Sequence, residues 1–229
     1  MATFGLVHGA WHGGWCWDKL VPELEARGHR AVAPDLPCED LGASWEDYAG
    51  IVADALDGTD GDVVLVGHSM GGITLPVVAA MRPVRRMVFL CALIPPGTPL
   101  PQPEEREPET HPAGAFDALV QHPGSHEWPT AEAATATMYQ DCSPEEIAAI
   151  FPRLRRQSTR MWDAPYPVGR WPDTEIESIL CTDDRAIRAD WSRWVANRRL
   201  GVAPIELPGG HSPFVARPAD LADALVRDL

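Results

Sequence analysis

Ten residues constrain this chain more than any others: Val63-Val64-Leu65-Val66-Gly67-His68-Ser69-Met70-Gly71-Gly72. Four β-branched or apolar residues run straight into Gly-x-Ser-x-Gly, and a helix-forming segment follows. A strand, a sharp turn and a helix in that order convert a weak five-residue pattern into a nucleophile elbow. Its central side chain is pushed out above the sheet from a strained backbone. Gly67 and Gly71 suit the turn because a Cβ at either position would collide with the neighbouring strand or helix. Ser69 then stands at a helix N-terminus, where free N–H groups and the helix dipole favour developing negative charge. An ordinary glycine-rich loop is the competing reading, and the buried-type strand ahead of the turn argues against it. Ser69 is the candidate nucleophile.

A serine hydroxyl attacks poorly near neutral pH unless a base takes its proton. Behind an elbow of this kind the partners follow in the chain order Ser, acid, His. Pro208-Gly209-Gly210-His211-Ser212 stands just after the last expected strand, and its two glycines allow a tight, closely approaching loop, so His211 is the candidate base. Cys181-Thr182-Asp183-Asp184 ends the strand before it and offers two acids. Asp184 is preferred, because Asp183 lies nearer the strand end, where it can cap the following helix. Its task would be to hold the imidazole tautomer and stabilise the imidazolium. The alternative acid position, after the strand following the elbow, reads Cys91-Ala92-Leu93-Ile94 and carries no carboxylate. The oxyanion hole needs two backbone donors, expected from the N–H groups of Met70 and Ala10, the latter in His8-Gly9-Ala10-Trp11.

Apolar runs alternate with helical stretches through the first hundred residues. Strands are expected at 4–7, 30–33, 63–66 and 87–90, with helices at 18–27 and 45–56, Ser44 capping the second. Pro76 should kink or displace the helix after the elbow. The alternation resumes with strands at 176–181 and 202–207 and helices at 185–197 and 219–227. Such alternation implies parallel β-α-β units with right-handed crossovers, an α/β fold with a six-stranded sheet. Between the two halves, Pro95-Pro96-Gly97-Thr98-Pro99 breaks the rhythm at a strand's C-terminal end. An insertion there would cover the face where Ser69 emerges. The organisation expected is therefore a core of 1–94 and 173–229, with a helical lid at 95–172. Phe116, Trp128, Tyr139, Ile150, Phe151, Met161, Trp162 and Trp171 are too many large apolar residues for a disordered linker. Residues 101–112 are the stretch expected to be most mobile.

Other chemistries are weaker. His8/His12 and His122/His126 have i, i+4 spacing, but Gly9, Gly13, Gly14 and Pro123-Gly124 argue against the helix that metal ligation would need. No metal and no cofactor are expected. Arg153, Arg155, Arg156 and Arg160 read as a solvated helix face rather than a phosphate site. His111, His122 and His126 read as surface residues, with lining the cavity as the lesser alternative for each. Lys plus Arg is 19 against 33 Asp plus Glu, a formal charge of −14 that repels nucleic acid and anionic membranes. Five cysteines without a Cys-x-x-Cys pair read as small buried apolar residues. No window reaches the ~18 apolar residues of a membrane span, and no basic-then-apolar leader opens the chain. A cytoplasmic location is the expectation, and a homodimer is left open.

These residues resemble the α/β-hydrolase superfamily, and within it the compact branch containing plant methyl esterases such as the salicylate-binding esterase, hydroxynitrile lyases and bacterial relatives. The resemblance rests on Val7-His8-Gly9-Ala10-Trp11-His12-Gly13-Gly14-Trp15, on Gly67-His68-Ser69-Met70-Gly71-Gly72, and on Cys181-Thr182-Asp183-Asp184 with Trp194 ten residues on. It covers roughly 3–95 and 175–229 and fades in the lid. It implies the α/β-hydrolase fold, supports Asp184 as the acid, and implies acyl transfer from a small or medium ester to water without a cofactor. The lyases of this branch place threonine after the first histidine and lysine after the catalytic one. Gly9 and Ser212 stand there in this chain, which favours hydrolysis. Trp11, Trp128 and Trp162 are expected, with Met70, to line an apolar pocket. A lyase or carbon–carbon bond-cleaving tailoring enzyme using the same triad, and a receptor-like member that binds without turnover, are the alternatives.

Overall fold

The computed structural model describes residues 1–59, 62–97, 99–100 and 105–229. Strand β1 (Thr3–Val7) is buried along its whole length. Helix α1 (Leu20–Ala26) leads to β2 (Arg30–Val32), and α2 (Trp45–Ala55) leads to β3 (Val63–His68). Ser44 begins α2 as expected. Its Oγ accepts from Asp47 N–H, while the Asp47 carboxylate accepts from Ser44 N–H. Helix α3 (Gly71–Met81) leaves the elbow and runs to β4 (Arg86–Leu90). It continues unbroken through Pro76, whose ring costs it a single hydrogen bond, the one to the Gly72 carbonyl.

The inserted segment departs from expectation. It carries three short strands, β5 (Val120–His122), β6 (Ser125–Glu127) and β7 (Gln157–Ser158), which pair antiparallel in one small sheet. Helices α4 (Ala131–Met138) and α5 (Pro144–Ile150) lie between the second and third of these strands. Two- and three-residue strands lack the alternation that marks longer ones, so the pairing has no local signature. The four arginines do not share a helix face either. Arg153, Arg155, Arg156 and Arg160 pair with Asp18, Glu39, Glu127 and Asp163. Within the stretch expected to be mobile, residues 101–104 lie outside the described residues, as does Thr98. The rest is tied down: Trp191 Nε1–H donates to Glu107 at 2.6 Å, and Arg188 N–H to the Thr110 carbonyl at 2.8 Å.

The chain then returns through β8 (Glu175–Cys181), α6 (Ala189–Val195), β9 (Ile205–Leu207), the short α7 (Pro213–Ala216) and α8 (Pro218–Val226). The six core strands form one sheet in the order β2-β1-β3-β4-β8-β9, every neighbouring pair parallel. Strand order reverses at β1, which has β2 on one side and β3 on the other. The crevice at the carboxyl ends of strands beside such a switch point is where open α/β sheets place ligands. Among the described residues, no helix is long and apolar enough to cross a membrane. The five cysteines are free, and four of them are fully buried.

The elbow itself is set by a close approach. A Cβ on Gly71 would lie 2.5 Å from the Val7 carbonyl oxygen and 2.7 Å from that of His8, and one on Gly67 would lie 2.8 Å from the Gly71 oxygen. These are backbone atoms and cannot swing aside. Gly71→Ala is therefore expected to lower stability by about 3 kcal/mol, near the upper end of overpacking costs. That corresponds to roughly 6–12 °C in Tm for a chain of this size. A thermal melt of the variant within 2 °C of the parent, on the order of thermal-shift scatter, would contradict the close approach.

Candidate active site

Among the described residues, three non-glycine residues have positive φ, and each follows the C-terminal end of a core strand. Trp11 (φ 65°) lies in the loop after β1, Ser69 (φ 52°) follows β3 and Cys91 (φ 43°) follows β4. Such conformations are costly and concentrate at functional sites. Ser69 is held from several sides: its N–H donates to the Leu90 carbonyl at 3.1 Å, and its own carbonyl accepts from Gly72 and Leu93 N–H. Gly9 presses against it, since a Cβ there would fall 2.8 Å from Ser69 Cβ.

His211 and Asp184 meet as the order of the chain predicts. His211 Nδ1–H donates to Asp184 Oδ2 at 2.8 Å, with both side chains almost fully buried. The expected division of labour between the two aspartates needs correcting. Asp184, not Asp183, receives the N–H groups of the turn into α6, its Oδ1 accepting from Ala186 and Ile187 at 2.8 and 2.9 Å. One carboxylate thus caps the turn and orients the histidine. Because residues 185–188 form this turn, α6 begins later than its sequence suggests. Asp183 instead accepts from Gly209 N–H at 3.2 Å and so holds the loop that carries His211. Among the described residues, Ser69 Oγ makes no hydrogen bond to His211, and the N–H groups of Ala10 and Met70 have no hydrogen-bond partner. Catalytic hydrogen bonds are often long without substrate and tighten in the complex.

Sequence reasoning missed the supports of this arrangement. His68 Nε2–H donates to the His211 carbonyl at 2.9 Å. His12 Nδ1–H donates to the Ala10 carbonyl at 2.6 Å, and its Nε2 accepts from Tyr139 O–H at 2.5 Å. His8 Nε2 accepts from Leu36 N–H at 2.9 Å. The inserted segment contributes Asp141, which accepts from Gly210 N–H at 2.8 Å, and Gln140, which donates to the Asp183 carbonyl at 2.8 Å. The glycines of the His211 loop were the available signal. A Cβ on Gly210 would lie within 2.6 Å of Gln140 side-chain atoms. The i, i+4 histidines do not gather as ligands, since His8 and His12 spend their ring nitrogens on these bonds. Among the described residues one group has metal-ligand character, Cys91, Asp184 and His211, whose ligand atoms lie within 4.8 Å of one another. There the histidine and aspartate already bind each other.

A cavity of about 230 Å³ opens on Ser69, bounded by Ala10, Trp11, Met70, Phe116 and Trp162 among others. Trp11 and Trp162 line it as expected, whereas Trp128 packs behind the wall against Trp11 and Phe116, ring centroids 5.4 and 6.1 Å away. His111 and His126, expected on the surface, also face it. His122 pairs with Glu127 away from it.

The chain matches the model of the alpha/beta hydrolase family over residues 6–224, and it belongs to that family. Salicylic acid-binding protein 2 of Nicotiana tabacum is 31% identical, covering 97% of this chain and 95% of that protein. Methylesterase 9 of Arabidopsis thaliana is 27% identical over 99% and 98% of the two chains. A solved pyrethroid hydrolase superposes with a TM-score of 0.82 at 28% identity, covering 99% of this chain and 97% of that one.

The buried histidines make stability sensitive to acid. Burial pushes the pKa of His8 down to about 4 and that of His12 down to about 3, and holds His68 well below its ordinary value. Unfolded, each takes up a proton as pH falls below about 6.5, while the folded protein does not until far lower. Stability is then lost as pH falls through that window. Tm should fall steadily from pH 7 to pH 5, and His12→Gln should flatten the slope. A Tm independent of pH over that range would refute the neutral, buried state.

Proposed function

We propose that this protein is a serine hydrolase that cleaves small carboxylic esters through an acyl-enzyme. The observation that carries the reading is the buried His211–Asp184 bond at 2.8 Å, on a loop pinned to the elbow by His68, with strained Ser69 opening on the adjoining cavity. Ser69 Oγ attacks the ester carbonyl as His211 Nε2 takes its proton, while Asp184 holds the Nδ1–H tautomer and stabilises the imidazolium. The unpartnered N–H groups of Met70 and Ala10 receive the oxyanion. The His12 bond to the Ala10 carbonyl fixes the orientation of that loop. His211 then protonates the leaving alcohol, and later takes a proton from the water that releases the acid. No step calls for a cofactor.

Residues 95–172 act in this reading as a lid that excludes water and shapes the acyl pocket. The hydrolytic outcome is supported by Gly9 beside Ser69 and Ser212 after His211, and by the esterase and hydrolase names of relatives matched along their whole length. A cytoplasmic setting suits the five free thiols.

Hydrolysis of short p-nitrophenyl esters tests the reading. Ser69→Ala should lower kcat on the order of a millionfold. Asp184→Asn should cost about 10⁴-fold by favouring the wrong tautomer. Folded wild-type protein without turnover above blank, or Ser69→Ala retaining most of it, would overturn the proposal.

A further inference from the structure

The small sheet of the inserted segment puts two polar side chains side by side in the wall of the Ser69 cavity. His126 on β6 and Gln157 on β7 are direct cross-strand partners, and both line the cavity. Directly opposed residues on one sheet face hold their side chains within reach of a common group.

Their hydrogen-bonding states are fixed from behind. Trp11 Nε1 can only donate, and it donates to His126 Nδ1 at 2.9 Å. The ring proton of neutral His126 therefore sits on Nε2, which makes that atom a donor. Burial lowers the pKa of this ring, so it stays neutral in the neutral range. Gln157 is 1% exposed. Its Nε2–H₂ faces the Ser158 carbonyl at 3.0 Å, the Tyr48 hydroxyl at 3.2 Å and Met161 Sδ at 3.9 Å. The carbonyl and the thioether cannot donate, so the amide cannot be turned the other way. Gln157 Oε1 is left as a buried acceptor with no partner, out of reach of water in the free protein, a state that is costly unless a small shift of the wall lets a donor reach it.

A donor and an unpartnered acceptor, side by side in a wall that is apolar apart from His111 and the nucleophile itself, fit a group that both donates and accepts. We propose that the substrate is an ester whose bound half is an apolar body ending in a hydroxyl remote from the carbonyl, received between His126 Nε2–H and Gln157 Oε1. The inference rests on the ester-hydrolase reading above. The cavity, about 230 Å³, is smaller than the roughly 300–1,000 Å³ that takes drug-sized ligands, so the body is no larger than a single ring on a short chain. Trp11, Met70, Phe116 and Leu119 supply its apolar contacts.

The test compares kcat/KM for the methyl esters of 3- and 4-hydroxyphenylacetic acid with those of 3- and 4-methylphenylacetic acid. The same rings are also carried on the alcohol side as benzyl acetates. A purely apolar wall favours methyl, because a hydroxyl loses its hydration on entry, so the sign of the preference decides. At least one hydroxyl ester should exceed its methyl counterpart by about tenfold, the scale of one well-made hydrogen bond. Gln157→Met and His126→Phe should bring that ratio to unity or below. Ratios within one protein preparation cancel any loss of folded enzyme, which matters because the Gln157 amide also braces Tyr48. Wild-type ratios all at or below unity would overturn the proposal, as would a hydroxyl preference unchanged in Gln157→Met. Should the wild type hydrolyse none of these esters, the ester-hydrolase reading fails by itself. Calorimetric binding of the hydroxyl and methyl product acids to the wild type and to Gln157→Met then decides the hydroxyl site by the same ratio.

Discussion

The chemistry of this protein hangs on one close approach of backbone to backbone. Gly71 lies so near the Val7 and His8 carbonyls that a single methyl group would fill the gap, and this contact brings the end of β3 against the end of β1. With α3 starting there, the chain must reverse within the residues between Gly67 and Gly71, and only a positive φ at Ser69 achieves it. The same contact sets Gly9 against the Ser69 side chain and brings Ala10 and Met70 to one cavity. Strain of about 1–3 kcal/mol at each of Trp11, Ser69 and Cys91 is offset by the buried sheet beneath. β1, β3 and β4 are buried from end to end.

Around that fixed point the polar groups behave as a neutral scaffold. His8, His12 and His68 are fully buried, and each spends a ring N–H or lone pair on the backbone of a loop that matters: the Leu36 N–H, the Ala10 carbonyl and the His211 carbonyl. Charged at neutral pH they would be ruinous, because desolvation of an unpaired ion far outweighs one hydrogen bond. Neutral, they are rigid links of fixed tautomer. By contrast, most ion pairs among the described residues lie at the surface, where each is worth roughly 0–1 kcal/mol, and none of those touches Ser69.

The core was legible in the sequence because its signals are local and periodic. Val63 to Val66 before Gly-x-Ser-x-Gly, the Ser44 cap and the buried β8 each declare themselves within a few residues. The order Ser69, Asp184, His211 followed from the topology those elements imply. The inserted segment was not legible in the same way. β5, β6 and β7 are two or three residues long and owe their pairing to tertiary contact, so no alternation announces them. Trp128 was expected at the pocket because it is large and aromatic, yet the sheet turns it behind Trp11. For His111 and His126 the sequence favours the surface over the cavity, because an isolated polar residue in a Pro-rich stretch looks solvated. The double use of the Asp184 carboxylate escaped notice because capping and catalysis are ordinarily assigned to different residues.

The central claim is that the elbow presents Ser69 as a single activated hydroxyl, with His211 as its base. Reaction with a fluorophosphonate, followed by intact-mass measurement and peptide mapping, tests it without any assumption about substrate. The account predicts one adduct per chain, located on Ser69, absent in Ser69→Ala and strongly slowed in His211→Ala. Unreactive folded protein, or an adduct on another residue, would contradict it.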